Sequence, residues 1–427
     1  MRAALWFLAL FGMAVAMALF AGNNQGTITV FWPPYRVDLS LNLVLLLLAL
    51  LFFTLHVALR ALGALFAMPG HARRWRIQHQ ERAMHVALLD ALAHLVAGRF
   101  IRAKKAAESV LAREVAMARS GEALAHAGRL RALSSLLAAE SAQALQDKTG
   151  REEHFREALA QASLHDAQGT REGVQLRAAR WALEDHDAQG ALQWLDDLPQ
   201  GASRRTIALR LRLTAARMAG RTRQAMDTAR LLAKHRAFSE IAAHGILRGL
   251  ALELVLTAHD ADQMQSVWLQ LDAAERMMPE VAIAAAHRML QFGGDVAVTR
   301  TWLLPIWDRM AEQGPATLTA AQRIELILVL ESGFKQTSGA PEPDWLTRIE
   351  QAQLANPGDA ALLYLAGITC MRLQLWGKAQ QLLKQALPRL HDAGLERNAW
   401  KALAELAEQR GDGAASAQAW RNAATKG

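Results

Sequence analysis

Histidine and cysteine are the residues of this sequence that could bind a metal or haem iron, or move a proton near neutral pH. The chain has 14 histidines and one cysteine, Cys370. No two histidines lie three or four residues apart, so no helix is predicted to present a pair of ligands on one face. Histidines from distant segments could still converge. We predict no metal site on any single helix and no catalytic residues.

His56 and Cys370 are the two such residues with unusual sequence surroundings. His56 lies inside an apolar run, where an ionisable side chain is costly and often functional. The alternative is a neutral imidazole hydrogen-bonded to a neighbouring helix, and the role of His56 stays open. Cys370 has no partner for an internal disulfide, as expected of a cytoplasmic domain, and is predicted to be buried.

Aromatic residues and methionines could form a pocket for a flat ring. The chain has 12 tryptophans and 14 methionines. However, Trp376, Trp400 and Trp420 fall at positions where paired helices would touch, which favours core packing. The sequence contains no glycine-rich phosphate loop, no GxGxxG and no nucleophile elbow. We therefore predict that the protein is not an enzyme and needs no cofactor, with haem or protoporphyrin as the possible exceptions.

Two apolar runs in the first seventy residues are predicted to anchor the chain in a membrane. Each is about 20 residues long, enough to cross the roughly 30 Å hydrocarbon core as a helix. The anchor is expected at 1–70, with spans at about 3–21 and 39–62 and a periplasmic loop at 22–38. Bulky Leu19 disfavours cleavage of the first run as a signal peptide. Segments 26–32 and 35–41 could pair as a small β-ribbon.

Basic residues cluster directly after the second run. The whole chain has a formal net charge of +8, of which +6 lies within 71–105 and none within 106–427. The residues of this basic collar are Arg73, Arg74, Arg76 and Arg82. Such a cluster indicates that the amino terminus and the carboxy-terminal domain are cytoplasmic, and that anionic membrane lipids are partners. Nucleic-acid binding is not expected, because no recognition motif accompanies the charge.

The remainder is predicted to be an α-solenoid of tetratricopeptide repeats, so the fold class is all-α with two N-terminal transmembrane helices. With Leu363 at position 4 of a 34-residue unit, Gly367 and Ala379 fall at positions 8 and 20, where small residues let two helices approach. A second unit follows about 37 residues later. The residues predicted to pack between helices or to close turns are Ala91, Gly98, Ala103, Gly220, Ala225, Gly367, Ala379, Trp400, Ala404 and Trp420.

The repeats are expected to form two lobes separated by a break. The first lobe is predicted at 71–312 and the carboxy-terminal repeats at 345–427. The break is predicted at 313–344, because proline cannot occupy a helix interior and 341–343 reads Pro-Glu-Pro. The number of repeats within 112–312 stays open. The candidate partner groove on the inner face contains Tyr364, Ile368, Met371, Arg372, Lys401, Glu405 and Glu408.

Several of these segments together resemble a known family. The loop sequence GTITV, the collar sequence HARRW and the first repeat ALLDALAHLVAGRFIRAKKAAESVLA are similar to the HemY family of proteobacterial inner-membrane proteins associated with haem biosynthesis. The resemblance implies a role in late tetrapyrrole metabolism at the cell inner membrane. It supplies no catalytic motif, and the sequence lacks the dinucleotide fingerprint of the unrelated flavin-dependent protoporphyrinogen oxidase of the same name.

These observations predict an inner-membrane scaffold that gathers haem-biosynthesis enzymes at the cytoplasmic membrane face. One alternative is a carrier or sensor that itself binds haem or porphyrin. A second is a general envelope scaffold unrelated to haem, and an enzyme acting on a porphyrin is the least favoured. The identity of the partner enzyme and the oligomeric state are not predicted.

Overall fold

The structure is a computed structural model, and it describes residues 11–14, 16–17, 22, 26–120, 124, 126–163, 167–314, 317–336 and 343–425. The predicted first span, 3–21, lies mostly outside these residues, as does the segment 337–342. The chain forms two compact units, which comprise residues 1–170 and 171–427.

A two-stranded antiparallel ribbon precedes the apolar helix. Strand β1 is Thr27–Trp32 and strand β2 is Tyr35–Ser40, with Thr27 opposite Ser40 and Trp32 opposite Tyr35. The Thr29 hydroxyl donates a hydrogen bond to Asp38 across the strands. β-branched and aromatic residues on both sides of Pro33-Pro34 account for the pairing. The predicted ribbon is confirmed.

A single long helix, α1, connects the ribbon to the first repeat. It runs from Leu41 to Val96, 56 residues or about 84 Å. Ser40 caps its first turn by accepting a hydrogen bond from the Leu43 amide. Its first part, Leu41–Gly63, has a mean hydropathy of 2.5 and no buried residues. Among the described residues this is the one helix long and apolar enough to cross a membrane.

The first unit continues with three helices after α1. They are α2 (Phe100–Arg119), α3 (Ala127–Ala144) and α4 (Lys148–Ala162). Three fully buried alanines, Ala91, Ala107 and Ala138, meet where α1, α2 and α3 pack together. Alanine leaves little side chain between the helices, so their backbones can lie close.

The described residues of the second unit form helices and the turns between them. In chain order they are α5 (Gln168–Glu184), α6 (Ala188–Asp196), α7 (Gln200–Ser203), α8 (Thr206–Met218), α9 (Thr222–Lys234), α10 (Glu240–Thr257), α11 (Ala261–Gln270), α12 (Ala273–Arg276), α13 (Pro279–Gln291), α14 (Val296–Gln313), α15 (Ala320–Gln336), α16 (Pro343–Ala355), α17 (Ala360–Arg372), α18 (Trp376–Ala386), α19 (Ala393–Gln409) and α20 (Gly413–Thr425). A short 3₁₀ turn, Leu387–Arg389, follows α18. One apolar core extends from Leu209 to Ala419.

A common backbone turn ends the first helix of successive helical hairpins. Gly98, Gly220 and Gly411 have positive φ angles of 71°, 65° and 73°. The residue after each donates its amide to the carbonyl five residues earlier, as in Arg221 to Ala216 at 2.8 Å. This is the Schellman closure, for which glycine is the favoured residue. The same closure follows positive-φ residues of other types, namely Gln146, His186, Arg236 and Gln374.

The predicted break at 313–344 is wrong for most of its length. Helix α15 lies within it, and Leu326, Leu330 and Phe334 belong to the same core as the helices on both sides. A turn does occur at the start of this segment, where Gly314 ends α14 with a φ of 91°. Turn residues mark the ends of α15, but its apolar face supplies the packing that a linker would lack.

Candidate partner-binding surfaces

The basic collar lies on the exposed part of α1 after the apolar segment. Arg73, Arg74, Arg76 and Arg82 are all exposed. Along the helix axis Arg82 lies about 14 Å beyond Arg73. That separation exceeds the Debye length of about 8 Å at physiological ionic strength. The charges of Arg73 and Arg82 are therefore largely screened from each other by salt.

An ion pair between buried Glu114 and partly exposed Arg131 joins α2 to α3 in the first unit. The Glu114 side chain is only 4% exposed. Two guanidinium nitrogens of Arg131 reach its carboxylate, with Nη2 donating at 2.7 Å and Nε donating to the other oxygen. The hydrogen bond to Glu114 raises the pKa of Arg131. This pair holds two helices of the unit together and is not open to a ligand.

Tyr364, predicted to line the groove, is instead in the core of the second unit. It is fully buried, and its hydroxyl donates a 2.7 Å hydrogen bond to Glu331 on α15. Glu331 also forms an ion pair with Lys335, whose Nζ lies 2.6 Å from the Glu331 Oε1. Burial, then the charge of Glu331, raises the pKa of Tyr364. The network stabilises packing between α15 and α17, so the prediction for Tyr364 is wrong.

Ile368 is also misassigned, whereas the rest of the predicted groove remains accessible. Ile368 is 4% exposed, because every residue of α17 from Ala361 to Cys370 is covered by neighbouring helices. A helix that is buried on all sides cannot offer a groove-facing stripe. Met371 is half-buried, and the exposed members of the predicted groove are Arg372, Lys401, Glu405 and Glu408.

Glu408 binds two side chains of the last helix. Its Oε1 accepts hydrogen bonds from the Trp420 indole nitrogen at 2.8 Å and from the Ser416 hydroxyl at 3.0 Å. These bonds, first the one from Trp420, lower the pKa of Glu408. Trp420 is 39% exposed, so its predicted core position is wrong. Ala419 and Ala423 occupy the buried face of α20 instead.

The small residues predicted between helices lie where helices touch. Gly367 packs so closely on Leu383 that an added Cβ would lie 2.8 Å from the Leu383 Cγ. Five predicted alanines are fully buried, namely Ala91, Ala103, Ala225, Ala379 and Ala404. Gly98 and Gly220 are exposed and serve the turns described above.

One groove in the second unit lies between α13 and α15. Its volume is about 330 Å³, and its walls include Ile283, Leu328 and Val329, with His287 and Glu325 as its titratable side chains. His287 is exposed, and its Nε2 lies 3.3 Å from the Gln291 amide nitrogen. We refer to this feature as the His287 groove.

A second groove lies between the end of α18 and the helix α19. Its volume is about 420 Å³, and half-buried Trp400 forms one wall. Leu387, Pro388 and Leu403 complete the apolar lining, and Lys384 and Glu396 supply one charge of each sign. Trp400 thus packs against the core and also lines the groove. We refer to this feature as the Trp400 groove.

Metal and thiol chemistry have little support in the geometry. Among the described residues, no group of three or more His, Cys, Asp or Glu side chains could hold a metal ion. Cys370 is fully buried, and burial raises the pKa of its thiol. A buried neutral thiol is a poor nucleophile.

Sequence reasoning missed both grooves and the Tyr364–Glu331 hydrogen bond. The available signal for the hydrogen bond was Glu331 itself, the one carboxylate in the stretch from Leu326 to Phe334. A carboxylate in such a position needs a buried partner. No comparable signal existed for the grooves, because their walls form only when the helices pack, α13 on α15 for the His287 groove and α18 on α19 for the Trp400 groove.

Solved structures similar to this chain include those of the APC/C hetero-tetramer Cut9-Hcn1, of Naa15/Naa10 bound to HypK-THB, and of the P58(IPK) TPR domain. The sequence identities are 14%, 13% and 14%, and the TM-scores are 0.25, 0.21 and 0.22, in that order. The matches cover 79%, 78% and 77% of this chain and 65%, 58% and 99% of the other chains. The chain thus spans less than two thirds of the first two.

No curated protein matches the sequence. The family model for the HemY protein N-terminus matches residues 26–146. The matched segment contains the ribbon, α1, α2 and α3, and so includes the loop, collar and first-repeat sequences that suggested the resemblance. Residues 26–146 thus match the amino-terminal domain of the HemY family.

Proposed function

We propose that the chain is an inner-membrane scaffold of haem biosynthesis, with tetratricopeptide repeats that gather pathway enzymes at the cytoplasmic membrane face. The observation that carries the proposal is the continuity of α1 from the apolar segment Leu41–Gly63 into the packed residues Met84 and Ala91. A continuous helix tethers the first hairpin to the membrane without a flexible linker. Porphyrin intermediates are apolar and partition to the same surface.

The proposed topology has two spans, at about 3–21 and 39–62, with both the amino terminus and the repeats in the cytoplasm. The exposed arginines of the collar follow Leu41–Gly63, and the ribbon with its single arginine precedes that segment. An excess of arginine favours the cytoplasmic side. Anionic lipids are the proposed partners of Arg73, Arg74 and Arg76, at about 1 kcal/mol each.

Cysteine labelling tests this topology, because the native Cys370 is buried and should not react. Tyr35→Cys places a thiol in the ribbon, where the native side chain is 72% exposed, and Gln78→Cys places one beyond the collar. In spheroplasts, a membrane-impermeant maleimide should label Tyr35→Cys only. After lysis it should label both. Labelling of Gln78→Cys in intact spheroplasts would show that the orientation is opposite to the one proposed.

The proposed enzyme-binding surface is the Trp400 groove, with the exposed residues Arg372, Lys401 and Glu405 as the competing surface. An apolar wall with one flanking charge of each sign suits an apolar anchor side chain of a partner protein. Affinity capture of the solubilised full-length chain from its native membrane should recover haem-pathway enzymes. An absorbance spectrum of the same eluate shows whether a porphyrin is present.

Matched variants separate the two surfaces. Lys384→Glu changes the Trp400 groove, and Lys401→Glu makes the same change at another exposed lysine of the same part of the chain. We expect Lys384→Glu alone to reduce recovery of the enzymes. A loss of enzyme recovery with Lys401→Glu alone would show that the enzymes bind the competing surface. Recovery of no pathway enzyme by the unmodified chain would contradict the scaffold function.

The His287 groove supports a second candidate function, that of a haem or porphyrin carrier. A neutral imidazole in a groove with apolar walls can bind haem iron, while the apolar side chains cover the ring. Titration of the full-length chain with haem should then shift the Soret band, and His287→Ala should abolish the shift. His259→Ala is the control. If the haem spectrum does not change when the unmodified chain is present, the chain is not a haem carrier.

A further inference from the structure

An exposed stripe with a seven-residue period runs along α1 after the membrane segment. Its residues are spaced alternately four and three apart, and all of them are exposed. They are Trp75, His79, Arg82, Val86, Leu89, Ala93 and Val96. The opposite face of the same helix contains Met84 and Ala91, which are fully buried in the first unit. We call the exposed stripe the α1 seam.

The apolar residues of the α1 seam are unusual for the outer face of a repeat stack. Val86 is 56% exposed, Leu89 65% and Val96 82%. Repeat proteins normally present a polar outer face on the terminal repeat, because nothing stacks against it. Three large apolar side chains on one side of a helix therefore indicate that another helix covers them.

The spacing of the seam indicates the kind of helix that covers it. Alternating steps of four and three residues are the d-to-a and a-to-d steps of a coiled coil. His79, Val86 and Ala93 then occupy a positions, and Leu89 and Val96 occupy d positions. We propose that two copies of this chain pair in parallel through the α1 seam. The proposal goes beyond the scaffold function and needs no haem.

The membrane segment favours a second copy over other helical partners. Both copies of α1 continue from the same apolar segment, so in one membrane their helices point the same way and start at the same height. Equivalent seam residues then face each other without adjustment of register. Within the apolar segment the same heptad positions include Thr54, Ala58 and Ala61, whose small side chains permit close helix contact.

Polar side chains beside the seam meet across the pair in this parallel arrangement. In a parallel coiled coil, a residue at g lies next to the residue five positions later in the other helix. That rule places His85 of one copy beside Asp90 of the other, twice per pair. The His85 Nδ1 contacts the Glu81 carbonyl oxygen at 2.9 Å, so Nε2 can face the carboxylate. Both residues are exposed in the single chain.

Arg82 is the polar member of the seam and falls at a d position. A polar residue at one core position lowers coiled-coil stability but fixes register and the number of strands. The long arginine stem can pack in the seam while the guanidinium extends to solvent. A groove of about 420 Å³ beside the seam, lined by Val86, Asp90 and Arg113 among others, leaves room for that side chain.

Disulfide cross-linking of the full chain in its native membrane tests the pairing. Cys370 is buried, so it adds little background. Leu89→Cys places a thiol in the seam, and Gln80→Cys places one at an exposed position on another face of α1. Under mild oxidation we expect a covalent dimer from Leu89→Cys and none from Gln80→Cys. Cross-linking of both variants alike would indicate random collision, and a cross-link to a different protein would also overturn the proposal.

A mass measurement tests the same pairing without cysteines. Light scattering of the purified chain, with detergent subtracted, should give twice the chain mass of 46.8 kDa. The double variant Val86→Glu, Leu89→Glu should give the single-chain mass. Both side chains are exposed in the single chain, so its helix content should not change. A monomeric unmodified chain, or a dimeric double variant, would contradict the proposal.

Discussion

The hydroxyl of Tyr364 donates a 2.7 Å hydrogen bond to the carboxylate of Glu331, inside a core that both side chains help to form. Glu331 is 2% exposed, and Lys335 Nζ lies 2.6 Å from its Oε1 as an ion pair. A carboxylate this deeply buried depends on its donors, because removing one leaves an acceptor without solvent to replace it.

Tyr364→Phe should therefore destabilise the second unit by about 1–3 kcal/mol. The substitution removes one donor to Glu331 and preserves the shape of the ring. Denaturant unfolding of the solubilised chain measures the effect. Tyr35→Phe is the matched control, since Tyr35 is the only other tyrosine and is 72% exposed in the ribbon. An equal loss in both variants would show that the hydrogen bond contributes nothing.

Stability should also decrease at alkaline pH through the same residue. Burial and Glu331 raise the pKa of Tyr364 above its ordinary value. The unfolded chain releases this proton as pH rises through about 10, whereas the native chain retains it. The contribution of Tyr364 is thus complete below about pH 10 and is progressively lost above it. The unfolding free energy of the unmodified chain should fall more steeply with pH than that of Tyr364→Phe, and parallel slopes would contradict this.

Gly367→Ala should separate α17 from α18. The new methyl group would lie 2.8 Å from the Leu383 Cγ and 3.4 Å from the Leu383 backbone nitrogen. Overpacking of this kind typically costs about 1–3 kcal/mol. Gly377→Ala is the control, because a Cβ there meets nothing within 4 Å. Thermal unfolding should show a loss for the first variant alone, and an unchanged Gly367→Ala variant would mean that the two helices can move apart freely.

Arg131→Met should destabilise the first unit by about 3 kcal/mol, because it leaves the Glu114 carboxylate buried without its partner. The double variant Glu114→Gln, Arg131→Met should recover part of the loss. Arg180→Met is the control, since that arginine pairs with Glu184 on the surface, with side chains 55% and 42% exposed. Surface pairs of this kind contribute about 0–1 kcal/mol. Equal effects of Arg131→Met and Arg180→Met would show that burial does not strengthen the first pair.

The helices and their contacts could be predicted where small residues recur at fixed spacing. Gly367 and Ala379 were placed between helices because a helical hairpin needs small residues there, and both lie at such contacts. The middle repeats could not be numbered, since Gln146, His186 and Arg236 occupy turn positions at which glycine would have been recognisable.

The exposure of Tyr364 and Ile368 could not be predicted from the repeat pattern alone. A repeat pattern identifies the faces of a helix but not whether other helices cover each face. In α17 the neighbours cover all of them, so both residues are buried. The predicted break failed for a related reason. Glycine and proline at its two ends predict a linker, although the apolar stretch between them is long enough for α15.

Because α1 is one uninterrupted helix, the height and the direction of the first hairpin depend on the same residues. Removing one residue between Gly63 and Met84 would lower the hairpin by about 1.5 Å and rotate it by about 100° around the helix axis. Removing seven would lower it by about 10 Å and rotate it by only about 20°. The length of α1 therefore sets which side of the first hairpin faces its neighbours in the plane of the membrane.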